Sequence, residues 1–146
     1  MSQPSLFGAE PGRSAVANID GGARGNPGPA GYGVRIERDD GTSVELKEAL
    51  GVTTNNVAEY RGLIAALAWA AAHGVSRLHV RSDSELLVKQ MRGEYRVKNE
   101  GLKPLSAEAR RLVAQIGDVR FEHVPREQNK DADRLANEAM DEAART

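Results

Sequence analysis

At 146 residues, with 21 acidic and 20 basic side chains giving a formal net charge of −1, the chain has the size and composition of one globular domain. So small a net charge cannot by itself gather a polyanion, and any nucleic-acid contact must come from local patches. There is no cysteine, which excludes disulfides, thiolate metal centres and a cysteine nucleophile, and fits a reducing cytoplasm.

Residues 1–14, MSQPSLFGAEPGRS, read as a flexible polar lead-in without the basic start and apolar run of a secretion signal, leaving 15–146 as a single domain. Ala15 to Asp20 is a strand candidate, with Ala15, Ala17 and Ile19 on one face. Gly21 to Pro29 reads as a Gly/Pro-rich turn into an alternating strand, Tyr32 to Glu37. Asp39–Asp40–Gly41 signals a hairpin, and Val44, Leu46, Glu48 and Leu50 make one face of a third strand. Three strands with short connections predict an antiparallel meander.

The period then changes. Tyr60, Leu63, Ile64, Leu67 and Ala71 recur at helical spacing behind Thr54, Asn55 and Asn56 as capping residues, and His73–Gly74 closes that helix. Leu78 and Val80 mark a short strand, and Ser82–Asp83–Ser84 opens a helix bearing Leu86, Leu87 and Met91 that ends at Gly93. Leu105, Leu112, Val113 and Ile116 define another helix, Val119 to Val124 a fifth strand, and Ala132, Leu135, Ala136, Ala139 and Met140 a last helix. The order β-β-β-α-β-α-α-β-α predicts an α/β fold with a mixed five-stranded sheet flanked by helices. The most apolar stretch, Leu63 to Ala72, is too short to cross about 30 Å of hydrocarbon, so no membrane association is expected.

Four acids stand in distinctive settings: Asp20 in NIDGGARGNPGP, Glu59 in TTNNVAEYRG, Asp83 in VRSDSELL and Asp133 in NKDADRLAN. Singly, each has an ordinary explanation. Asp20 suits a turn before glycine, Glu59 a helix start, Asp83 an N-cap, and Asp133 a solvated helix face. Together they are what a divalent-metal site needs, because hard cations prefer charged oxygen ligands. Periodicity alone does not say which acids converge.

DGGARGNPGPAGYG, TNNVAEYRGLIAAL, SDSELLVKQM and NKDADRLANEA, in that order, closely resemble the signature segments of type-1 ribonuclease H, and the likeness runs from Ala15 to Ala139. The resemblance implies the ribonuclease-H-like fold and a nuclease that hydrolyses the RNA strand of RNA–DNA hybrids, leaving 5′-phosphate and 3′-hydroxyl ends. Carried over by position, it implies that Asp20, Glu59, Asp83 and Asp133 are catalytic carboxylates holding two Mg²⁺ or Mn²⁺ ions. It further implies that Gly25, Asn26 and Pro27 face the RNA strand, where the 2′-hydroxyl distinguishes RNA from DNA. Thr54, Asn55 and Asn56 would touch the DNA strand, and Ser84 a phosphate. A cytoplasmic monomer is expected.

The chain departs from the family in three places. Gly93 to Pro104 is short and lacks tryptophan, where many members carry a long basic protrusion; Lys89, Arg92, Arg96, Lys98 and Lys103, with Tyr95 among them, form a local basic stretch suited to phosphate contact. The loop before the last helix has no histidine; Arg126 and Glu127 occupy what would be the product-release loop, and Arg126 is a poor proton shuttle. His123, alternating with Val119 and Phe121, reads as a packed strand residue. Thirdly, Glu85 puts an acid where members often carry an uncharged side chain.

Two other readings stay open. A non-catalytic hybrid- or RNA-binding module would gain nothing from a repulsive carboxylate cluster. A DNA-directed nuclease of the same fold, such as an integrase or transposase domain, has no use for Gly25–Asn26–Pro27. Asp141 to Thr146 reads equally as a tail or as a linker to a fused partner.

Overall fold

The computed structural model describes residues 12–145, so nearly all of the expected lead-in lies outside the described residues. Gly12 is already tied to the domain, its carbonyl accepting from Arg38 at 2.9 and 3.0 Å. The elements are β1 (Ser14–Ala23), β2 (Gly28–Arg38), β3 (Ser43–Thr53), α1 (Asn55–Ala72), β4 (Arg77–Ser82), α2 (Glu85–Met91), α3 (Lys103–Ile116), β5 (Asp118–His123) and α4 (Lys130–Ala144). The order is the one read from the sequence, with a single 3₁₀ turn added at Arg126–Gln128.

The sheet runs β3-β2-β1-β4-β5. β1 pairs antiparallel with β2 and β2 with β3, whereas β1–β4 and β4–β5 are parallel. The helices between β3, β4 and β5 supply the crossovers that parallel neighbours require. Alternate side chains face opposite layers. Ala17, Ile19, Val34, Ile36, Leu78 and Val80 face a core closed by Leu63, Leu67 and Ala70 of α1 and by Leu112 of α3. The opposite face is covered by α4, whose Ala132, Leu135, Ala136 and Ala139 are buried.

One element differs from the sequence reading. Gly21 and Gly22 are not in a turn: β1 continues through them to Ala23, and only Arg24–Pro27 turns. The reason is close packing rather than backbone freedom. A Cβ on Gly21 would lie 2.5 Å from the Ala58 carbonyl of α1. On the other face, a Cβ on Gly33 would lie 2.5 Å from the Ala132 carbonyl of α4. The missing side chains let both helices approach the same end of the central strands, bringing Glu59 and Asp133 with them.

Candidate active site

The register Ile19↔Ser82 between parallel β1 and β4 makes Asp20 and Asp83 the next residues on neighbouring strands, about one strand spacing apart. Asp83 directly follows β4, and Asp20 lies in the last four residues of β1. Both are thus toward the carboxyl ends of parallel strands, where open α/β sheets place their ligand sites. Asp133 comes from the first turn of α4. Its helix is pinned by Asn129, 1% exposed, whose Nδ2 donates to the Ile19 carbonyl at 2.8 Å while its Oδ1 accepts from Asn18 at 2.9 Å. Asp133 N in turn donates to the Asn129 carbonyl at 3.0 Å. Asp20, Asp83 and Asp133 line one cleft of about 210 Å³ with Asn55, Arg126, Asn137 and Met140. Glu59 stands outside that lining, one turn into α1, where it is near Asp83 and Ser84.

The electrostatics are those of crowded like charges. Burial pushes the Asp20 carboxyl up to about 8, and the nearby Asp83 and Asp133 carboxylates add to the rise. Burial raises Glu59 to about 7; the Ser84 hydroxyl opposes the shift and Asp83 reinforces it. Asp83 is raised by burial, against the pull of the Arg126 guanidinium, with Asp133 adding to the rise. Asp20 lies within hydrogen-bonding reach of both Asp133 and Asp83. By donor chemistry the set fits a hard dication, which would relieve this repulsion. Its arrangement is more open: among the described residues, no three acids or histidines are drawn into a ready-made metal-holding group.

The other expected site residues divide. Gly25 (φ +92°), Asn26 and Pro27 form an exposed turn with a cis Asn26–Pro27 bond. The turn is braced against α1, since the Asn26 Oδ1 accepts from Asn55 N at 3.1 Å and the Asn55 Oδ1 accepts from Ala23 N at 2.6 Å. Of the three capping candidates, only Thr54 caps α1, accepting from Val57 N at 3.2 Å; Asn55 and Asn56 are its first helical residues. Ser84 rather than Asp83 caps α2, accepting from Leu87 N at 3.2 Å. That leaves Asp83 free of the cap and turned to the cleft. Arg126 lies 3.3 Å from Asp133, and Glu127 is exposed on the 3₁₀ turn.

His123 is a correction: it is exposed at the end of β5, the edge strand of the sheet, although the next residue, Val124, is buried. In the basic stretch, Lys89 pairs with Glu85 at 3.8 Å, Arg92 with Glu94 at 3.7 Å and Lys103 with Glu100 at 2.7 Å, while Arg96 and Lys98 are exposed. The Glu85 charge is thus partly met by Lys89. Sequence reasoning missed Asn129 and Asn137, which stand one helical turn before and after Asp133; that spacing was the available signal.

The reverse transcriptase-like family model matches residues 18–139. The chain is 50% identical over 133 residues to the bifunctional protein Rv2228c of Mycobacterium tuberculosis, covering 90% of this chain and 36% of that protein. Against the solved N-terminal RNase H domain of Rv2228c, the TM-score is 0.87 at 48% identity, covering 90% of this chain and 96% of that one. Ribonuclease HI of Halobacterium salinarum is 44% identical over 128 residues, which are 87% of this chain and 64% of the relative. LC11-RNase H1, solved in complex with an RNA/DNA hybrid, superposes with a TM-score of 0.82 at 44% identity, covering 88% of this chain and 98% of that one. The chain therefore spans about a third of its mycobacterial relative and just under two thirds of its archaeal one. In sequence and fold alike, it belongs to the reverse transcriptase-like family, among the type-1 ribonucleases H.

Proposed function

We propose that this chain is an endonuclease that hydrolyses the RNA strand of RNA–DNA hybrids with the help of divalent metal ions, leaving 5′-phosphate and 3′-hydroxyl ends. The observation that carries the reading is one cleft walled by Asp20, Asp83 and Asp133 with Asn55, the residue that braces the Gly25–Asn26–Pro27 turn. The hybrid-bound structure of LC11-RNase H1, so close in fold, supports the choice of substrate.

In this reading Asp20, Glu59, Asp83 and Asp133 hold a pair of Mg²⁺ or Mn²⁺ ions. Such ions supply activation of water and neutralisation of charge on the leaving 3′ oxygen. The remaining work belongs to the chain. The exposed turn Gly25–Asn26–Pro27 lies against the RNA strand and tests for the 2′-hydroxyl, which can both donate and accept. Thr54, Asn55 and Asn56, at the positive end of α1, take the DNA strand's backbone, and Ser84 a phosphate. Asn129 holds Asp133 in register with Asp20.

The test is cleavage of labelled duplexes: RNA–DNA hybrid, all-DNA and all-RNA, with Mg²⁺ and with Mn²⁺. We expect cuts in the RNA strand of the hybrid alone, and a loss of at least roughly a hundredfold in Asp83→Asn, since even residues that only orient metal ligands cost up to about that much. Binding of hybrid without metal-dependent cleavage would identify a binding module, and cleavage of all-DNA duplex a DNA-directed nuclease.

A further inference from the structure

The cleft contains one cation of the protein's own. Arg126 stands on the 3₁₀ turn between β5 and α4, its guanidinium 3.3 Å from the carboxylate of Asp133, seven residues further on. It lines the same cleft as Asp20 and Asp83. Its side chain is 74% exposed, so it is held by this charge contact rather than by packing. The same carboxylates are the proposed metal ligands. A guanidinium and a dication compete for the Asp133 carboxylate, because like charges in one small cleft repel.

We infer that Arg126 is a built-in counter-ion of the carboxylate cleft: it satisfies Asp133 until a divalent ion takes its place, and the displaced guanidinium is then free to face the substrate's phosphate. Arg126 is thus a positioning residue that sets how much free metal the site needs. The inference rests on the proposed metal-dependent reading. It also gives the arginine of this loop a task that needs no proton transfer, which suits a group that stays protonated.

The experiment is Mn²⁺ and Mg²⁺ titration by calorimetry on chelator-treated, substrate-free protein, comparing wild type with Arg126→Ala, Arg126→Gln and Arg126→Lys. Removing the positive charge should tighten metal binding roughly three- to fivefold, the scale of a solvent-exposed ion pair, with Arg126→Ala and Arg126→Gln alike and Arg126→Lys near wild type. Hybrid affinity in Ca²⁺, measured separately, should weaken in Arg126→Ala and less so in Arg126→Lys. Unchanged or weaker metal binding in both neutral variants, with wild type still binding metal, would overturn the inference and leave the proposed function intact. Wild type that takes up neither metal would overturn both.

Discussion

On β1, Ala15, Ala17 and Ile19 meet the apolar side of α1, while Asn18 and Asp20, interleaved with them, meet α4 and the carboxylate cleft. The two faces of one sheet are thereby held by different physics. The α1 face is a continuous apolar core in which Leu63, Leu67, Leu78 and Val34 have no exposed surface. The α4 face joins a row of small residues to charge. Arg134 bonds Glu45 at 2.7 Å and Glu138 at 3.2 Å, and Lys47 bonds Glu138 at 2.8 Å. Past the end of that paired network lie Asp20, Asp83 and Asp133, which crowd one another with Arg126 as the cation beside them. Stability comes mainly from the first face, and the second has room for a repulsive cluster.

The largest expected effect belongs to the apolar face. Leu67→Ala removes a fully buried side chain between α1 and the sheet and should cost about 3 kcal/mol, or roughly 6–12 °C in Tm for a chain of this size. The loss should be the same at pH 5 and pH 8.5, because no titrating group is disturbed. A loss that varied strongly with pH would mean that the two faces are coupled.

The cleft should behave in the opposite way. An unfolded Asp titrates near 3.8 and Asp20 in the fold at about 8, so between those values the folded protein binds more protons than the unfolded one. Its stability therefore falls as pH rises across that window, and the penalty is complete above about pH 8. Glu59, raised to about 7, adds to the same trend. With metal chelated, Asp20→Asn should match wild type near pH 4 and exceed it at pH 8.5 by roughly 3 °C, or about 1 kcal/mol once solvent screening is allowed for. Thermal unfolding over that pH range decides it; an Asp20→Asn protein less stable than wild type at pH 8.5 would show that the carboxylate is satisfied rather than strained.

How much of this could be read from the chain depends on where the determining forces act. The apolar face was legible because alternation and helical spacing carry it directly: Ile19, Leu63, Leu67 and Leu78 are where their periods put them. The resemblance singled out the four acids, but only the parallel register of β1 and β4 explains why Asp20 and Asp83 are neighbours. Gly21 was misread as a turn because glycine's usual meaning is backbone freedom, whereas here it is the space occupied by Ala58. Asn129 went unnoticed because its partners, Asn18 and the Ile19 carbonyl, are more than a hundred residues away in sequence. His123 follows the core-facing alternation, but alternation cannot show that its strand is the sheet edge, where this side chain is left uncovered.

The smallest expected effect is on the α4 face, at Glu138. Its carboxylate has two cationic partners, Lys47 and Arg134, and its side chain is 41% exposed. Water already solvates such pairs well, so Glu138→Gln should change stability by less than about 0.5 kcal/mol and Tm by no more than roughly 2 °C, with the difference vanishing in high salt. Hybrid cleavage should be unaffected, although Glu138 lies on the same helix as Asp133, five residues further on. What anchors α4 is the burial of Ala132, Leu135, Ala136 and Ala139 over Gly31 and Gly33, together with the Asn129 bonds at its start. A drop of more than about 5 °C in Glu138→Gln would move that role to the ion pairs, and the α4 face would then depend on its charges for stability.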